Sequence, residues 1–76
     1  MTEQVLDATG LKCPLPVLRA RKVLRSLDAG AQLRVLATDP GALQDFRAFC
    51  EAAGHELLEA RRREEDGVLV FLIRRA

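Results

Sequence analysis

The chain predicts an α+β fold, a two-layer sandwich of order βαβαββ, from three features of its pattern. Apolar residues recur at helical spacing in two stretches, Pro14 to about Leu27 and Pro40 to Gly54, and a short strand-like run precedes each. Two further strand-like runs close the chain on either side of Glu65-Asp66-Gly67, whose Asp-Gly pair suits a hairpin. Right-handed crossovers then put both helices on one face of a four-stranded mixed sheet. With 76 residues there is room for one core, and residues 1–76 read as one domain without repeat, low-complexity tract or linker.

Each element has its own warrant. Val5 to Ala8 forms a short first strand ending at Thr9-Gly10. The first helix, stopped at Asp28-Ala29-Gly30, gathers Val17, Ala20, Val23, Leu24 and Leu27 on one arc, with Pro16 beside them. Leu33 to Thr38 is the second strand. Asp39 then reads as an N-cap and Pro40 as the first helical residue of a second helix, whose core face is Ala42, Leu43, Phe46, Phe49, Cys50 and Ala53. Glu56 to Arg63 and Val68 to Arg74 are the last two strands. The fourth is apolar at both parities, so it belongs inside the sheet with the third at an edge, giving the order 1-2-4-3.

The chemistry concentrates at Cys13, in Gly10-Leu11-Lys12-Cys13-Pro14-Leu15-Pro16. Proline costs nothing in the first turn of a helix, where N–H groups have no carbonyl partner, so Pro14 and Pro16 hold that turn ready-made. The helix that follows points its positive end at Cys13, and Lys12 adds a second positive influence, both favouring thiolate. The alternative is a cysteine serving as a small apolar core residue, but helix starts are seldom the centre of a core. By the predicted topology Cys13, Asp39 and the Glu64 to Gly67 turn share one rim of the sheet.

The remaining candidates fall elsewhere. Cys50 stands some eleven residues into the second helix, about 15 Å along its axis, too far for a bridge to Cys13, and shares the core stripe. The single histidine, His55, belongs to the opposite rim, which argues against a cysteine hydrolase. The two cysteines match no zinc spacing, and no metal or cofactor is expected. On the outer side of the first helix, Leu15 and Leu18 lie near Cys13 and are followed by Arg19, Arg21, Lys22 and Arg25. This apolar spot ringed by positive charge suits an acidic or mixed partner surface, the alternative being a solvated basic face.

Twelve basic and eleven acidic residues leave a net charge of +1, too balanced for nucleic-acid binding by bulk charge. Arg61 to Arg63 are followed at once by Glu64, Glu65 and Asp66, which cancel them locally. No apolar run approaches the ~18 residues that span a bilayer, and Met1-Thr2-Glu3-Gln4 lacks a secretory pattern, so a soluble protein of the reducing cytoplasm is expected.

Leu6-Asp7-Ala8, the Gly10 to Pro16 motif, Arg21-Lys22, Thr38-Asp39-Pro40, Phe49-Cys50 and His55-Glu56-Leu57 together resemble the TusA/SirA family of small sulfur carriers over nearly the whole chain. The resemblance implies a fold similar to the C-terminal domain of translation initiation factor three. It also implies a cysteine that takes sulfane sulfur as a persulfide from a cysteine desulfurase or rhodanese. A DsrE- or TusBCD-like acceptor then receives the sulfur, for tRNA 2-thiouridine formation or for sulfur oxidation. By position, Cys13 matches the persulfide-forming cysteine, and Gly10, Lys12, Pro14 and Pro16 its supporting turn. Leu15, Leu18, Arg21 and Asp39 match partner-contact positions, of which the first three also stand out on the helical wheel. Cys50 matches a second family cysteine that is not the carrier site. Leu15 departs from relatives that carry glutamate between the prolines, which alters the charge offered to partners. Two other classes stand beside this one: a thiol redox or regulatory module using Cys13, and an RNA-binding domain.

Overall fold

A computed structural model describes residues 3–76; Met1 and Thr2, half of the N-terminal stretch considered above, lie outside the described residues. The elements follow in the expected order: β1 (Glu3–Ala8), α1 (Leu15–Arg25), β2 (Gln32–Ala37), α2 (Ala42–Ala53), β3 (Glu56–Arg62) and β4 (Leu69–Arg74). The sheet runs β1-β2-β4-β3, as the two-sided apolar pattern of β4 requires. β1 and β2 are parallel, while β4 is antiparallel to both β2 and β3.

The core lies between the sheet and the helices. Leu33, Val35 and Ala37 of β2 alternate with partly buried residues, the period of two expected when one face packs on helices. Leu69, Phe71 and Ile73 of β4 continue that layer. Pro16, Ala20 and Leu24 of α1 and Ala42, Phe46 and Cys50 of α2 close it from above. Phe46 stacks on Phe71 with ring centroids 4.6 Å apart, tying α2 to the central strand. Ala53, expected in this layer, is exposed at the last residue of α2.

Val70 sits on the sheet face away from the helices and is still buried, flanked in register by Leu36 and Arg61. Around it Arg34 pairs with Glu3 and Glu59, and Arg61 with Glu59. The aliphatic stems of these residues cover apolar surface that a bare sheet would expose.

Loop geometry positions the functional end. α2 ends at Gly54, whose φ of 80° is left-handed and whose N–H donates to the Cys50 carbonyl at 2.9 Å. Between β3 and β4, Gly67 supplies the positive φ of the turn, and Asp66 accepts hydrogen bonds from Arg63 and from the Val68 N–H. Because Ala8, Ala37 and Leu69 are register neighbours, the β1–α1 loop, the β2–α2 loop and the β3–β4 turn lie at one end of the sheet. Among the described residues no helix is long and apolar enough to cross a membrane.

Candidate functional site

Two parallel neighbouring strands end side by side, and the loops that leave them are stitched together. Thr38 Oγ1 accepts a hydrogen bond from the Gly10 N–H at 2.9 Å. One residue further on, Asp39 Oδ2 accepts one from the Cys13 N–H at 2.8 Å. The other carboxylate oxygen, Oδ1, accepts from the Gly41 N–H at 2.9 Å. Asp39 therefore holds the backbone of Cys13 and the approach to α2 with one side chain. Its ionised form accepts both bonds, which lowers its pKa, first through the Cys13 N–H and then through the Gly41 N–H.

This geometry corrects the expected caps. Gly41, not Asp39, occupies the N-cap of α2, and the helix begins at Ala42. Asp39 and Pro40 instead form a turn closed by the Ala42 N–H donating to the Asp39 carbonyl at 3.0 Å. The carboxylate thus reaches Cys13 in addition to the helix approach. Likewise Pro14 is the N-cap of α1, and Leu15 and Pro16 are its first two residues. The helix ends at Arg25, two residues before the expected Leu27. The Cys13–Pro14 peptide bond is cis, and the turn around it is closed by the Leu15 N–H donating to the Lys12 carbonyl at 2.9 Å.

Cys13 is partly buried and free of any disulfide. Its sulfur lies close to the start of α2: a Cβ on Gly41 would stand 3.4 Å from Sγ. Gly41 has helical angles, φ −74° and ψ −9°, and a Cβ there would meet Cys13 Sγ and Asp39 Oδ1 at ordinary contact distance. The thiol is pushed up to about 11, by burial first, then by the Asp45 carboxylate and then by Asp39. The expectation that Lys12 and the α1 dipole favour thiolate is therefore overturned. Burial, and after it the carboxylates of Asp45 on the neighbouring helix and Asp39 on the neighbouring loop, outweigh them.

Asp45 is the site residue that sequence reasoning missed. It lies in the first turn of α2, and the only signal was indirect: an acidic side chain at the start of a helix predicted to share the rim with Cys13. Leu15 and Leu18 are 43% and 48% exposed, large apolar side chains left bare beside the cysteine. Arg21 is not part of that patch. It lies about 9 Å further along α1 than Leu15, in a groove with Arg25, Phe49, His55 and Arg75. Cys50 is buried in the core, its thiol pushed up to about 11 by burial alone. Arg61 and Arg63 are paired with Glu59 and Asp66, so two of the three arginines in the Arg61 to Arg63 run already have acidic partners. Among the described residues, no group of three or more His, Cys, Asp and Glu side chains is placed to hold a metal ion.

Fold and site define a small α/β sandwich that presents one accessible thiol on a stitched double loop. Residues 4–75 match the family model described as sulfurtransferase TusA. The sulfur carrier protein TusA of Allochromatium vinosum is 50% identical over 74 residues, covering 97% of this chain and 95% of that protein. The TusA of Pseudomonas putida is 45% identical over 73 residues, covering 96% and 89% respectively. The crystal structure of a SirA-like protein from Desulfitobacterium hafniense superposes with a TM-score of 0.83 at 31% identity and covers 96% of both chains. The chain belongs to the TusA family, and its role is that of a sulfur carrier.

Proposed function

We propose that Cys13 carries the sulfur as a persulfide, loaded by a cysteine desulfurase or rhodanese and unloaded to a DsrE- or TusBCD-like acceptor protein. The observation that carries this reading is the placement of the thiol. It is reachable from solvent, its backbone is pinned by Asp39, and bare Leu15 and Leu18 stand beside it. A sulfur handed between two proteins must be reached by both, and a fixed loop limits the orientational cost of each transfer. Residues 1–76 act as one carrier domain, used stoichiometrically, in a reducing cytoplasm where free thiols persist.

The chemistry is two exchanges without net oxidation. In loading, the Cys13 thiolate attacks the outer sulfur of a donor persulfide. The donor S–S bond breaks, a new one forms on Cys13, and the donor thiolate takes up the proton that Cys13 gave. In unloading, an acceptor thiolate attacks the outer sulfur of Cys13-S-SH, and Cys13 leaves as thiolate and is reprotonated. A thiol near 11 is about one part in ten thousand ionised at pH 7. A partner that sets a cation against Asp39 and Asp45 raises that fraction for loading and makes Cys13 a better leaving group for unloading. Leu15 and Leu18 supply apolar contact, Arg21 and Asp39 charged contacts, and Gly10, Lys12, Pro14 and Pro16 shape the turn. Which acceptor is present decides whether the sulfur serves thiolation of the tRNA wobble uridine or oxidative sulfur metabolism.

The test is transfer of labelled sulfur from cysteine through a cysteine desulfurase. Wild type and Cys50→Ser take up label in a form released by reductant, and Cys13→Ser takes up none. Equal labelling of Cys13→Ser and wild type contradicts the assignment. Cys13 that forms only mixed disulfides or sulfenic acid, with no persulfide from any donor, moves the protein to the redox class.

A further inference from the structure

Cys13 stands between two helix N-termini, a setting whose spare amide donors ordinarily suit an anion. Around this sulfur those donors are largely taken. The Cys13 and Gly41 N–H groups donate to the two carboxylate oxygens of Asp39, at 2.8 and 2.9 Å. The Ala42 N–H donates to the Asp39 carbonyl at 3.0 Å, and the Leu15 N–H to the Lys12 carbonyl at 2.9 Å. Pro14, Pro16 and Pro40 have no N–H to offer.

The charge beside the sulfur is negative instead. A Cβ on Gly41 would stand 3.4 Å from Cys13 Sγ and 3.5 Å from Asp39 Oδ1, so thiol and carboxylate flank the same point of the backbone. Asp45 follows one turn later, its N–H donating to the Gly41 carbonyl at 3.2 Å. Its partly buried carboxylate acts on the thiol by hydrogen bond and by charge. Neither Asp39 nor Asp45 belongs to an ion pair among the described residues. Lys12 acts on Asp39 as the last of several influences, and it is not among the charges that act on the Cys13 thiol. Holding the loop accounts for Asp39, but Asp45 takes no part in that stitch.

We propose that Asp39 and Asp45 make Cys13 selective by charge, holding off small anionic sulfur compounds such as thiosulfate and sulfite and leaving the sulfur to be delivered and removed by proteins. The reaction they slow is a sulfane exchange that needs no oxidant. In one direction the Cys13 thiolate attacks the outer sulfur of thiosulfate, the S–S bond of thiosulfate breaks, and sulfite leaves with the bonding pair, giving the Cys13 persulfide anion. In the other, sulfite attacks the outer sulfur of that persulfide, and Cys13 leaves as thiolate. Either way a dianion must come within bonding distance of a sulfur flanked by two carboxylates. The repulsion grows with the charge of the reagent and fades as salt rises. A protein donor is spared it, because the charges around its persulfide can be positive where they meet Asp39 and Asp45.

The proposal rests on the carrier function above, and its test separates the two. In a Cys50→Ser background the folded protein is treated with two methanethiosulfonates of similar size, one bearing a trimethylammonium group and the other a sulfonate. Both react with the same thiolate, so the ionisation of Cys13 cancels in the ratio of their rates and the charge preference remains. Asp45→Asn lowers the cation-to-anion ratio about threefold or more at low salt, and added salt lowers the wild-type ratio toward that of the variant. Glu51→Gln, an equal charge change about 9 Å further along α2, leaves the ratio as in wild type. The salt dependence needs no variant, and Asp45→Ser serves if the asparagine unfolds the chain, which melting reports. Cys13 loaded with labelled sulfur then loses it to sulfite about threefold or more faster in Asp45→Asn, relative to cysteamine, whose attacking form has no net charge. Ratios unmoved by both Asp45→Asn and salt overturn the charge selection, while loading by a cysteine desulfurase leaves the carrier function standing. A wild type that favours the anionic reagent more than free cysteine does also overturns it. Absence of any sulfur on wild type from every donor removes the carrier function first and the selection with it.

Discussion

Cys13 and Cys50 have thiols raised to the same level, about 11, and the causes differ in a way that decides their chemistry. Cys50 is 3% exposed in the core beside Phe46, and burial alone disfavours its thiolate. Nothing short of unfolding changes that environment. Cys13 stands at the rim, partly exposed, where burial is joined by two carboxylates, Asp45 and Asp39. Those charges can be neutralised from outside. A structural thiol is quiet because of where it is packed, whereas a carrier thiol can be quiet because of groups that a partner is able to touch. The second arrangement suits a protein that must not lose its sulfur to small thiols between partners.

The comparison can be broken or sharpened by substitution. Asp39→Ala removes the acceptor of the Cys13 and Gly41 N–H bonds, so the loop loses its fixed position along with one of its charges. Positioning outweighs the gain in thiolate, and sulfur loading falls about tenfold or more while Cys50 stays unreactive. A loading rate equal to wild type would show that the stitch does not matter.

Asp45→Asn removes charge without touching the stitch. The Cys13 thiol then ionises at lower pH, and alkylation by iodoacetamide at pH 8 speeds up by roughly threefold. An unchanged rate would leave burial and Asp39 as the causes and take Asp45 out of the comparison.

The smallest effect concerns Cys50. Its folded thiol ionises near 11 and the unfolded one near 9.0, so its contribution to stability is present in full below about pH 9 and is lost as pH rises toward 11. That loss is on the order of 2 kcal/mol at most, measured as a shift in the urea midpoint, and Cys50→Ala flattens the slope between those values. An equally steep slope in Cys50→Ala assigns the dependence to other groups.

Much of this architecture is legible in the residues because it rests on periodicity. The two-sided apolar run at Leu69 to Ile73 places β4 inside the sheet, and the Asp66-Gly67 turn joins it to β3. The stripe of Pro16, Ala20 and Leu24 gives the buried face of α1, and from it the exposure of Leu15 and Leu18. The electrostatics at Cys13 resisted for a physical reason. A helix dipole and an adjacent lysine are local and can be read along the chain, whereas Asp45 reaches the sulfur only through the packing of α2 beside α1. Asp39 shows the same limit. Its preference for a helix start is in the sequence, yet the parallel pairing of β1 with β2 is what brings it to the Cys13 N–H. The groove was hidden too, since Arg75 belongs to the end of the chain and Arg21 to its first third.

The central claim is tested most directly by peptide masses taken without reductant after incubation with a cysteine desulfurase and cysteine. A gain of one sulfur atom, about 32 Da, on the peptide containing Cys13 and none on that containing Cys50 is the predicted result. A gain on the Cys50 peptide, or none on either from a desulfurase and from a rhodanese with thiosulfate, would contradict it.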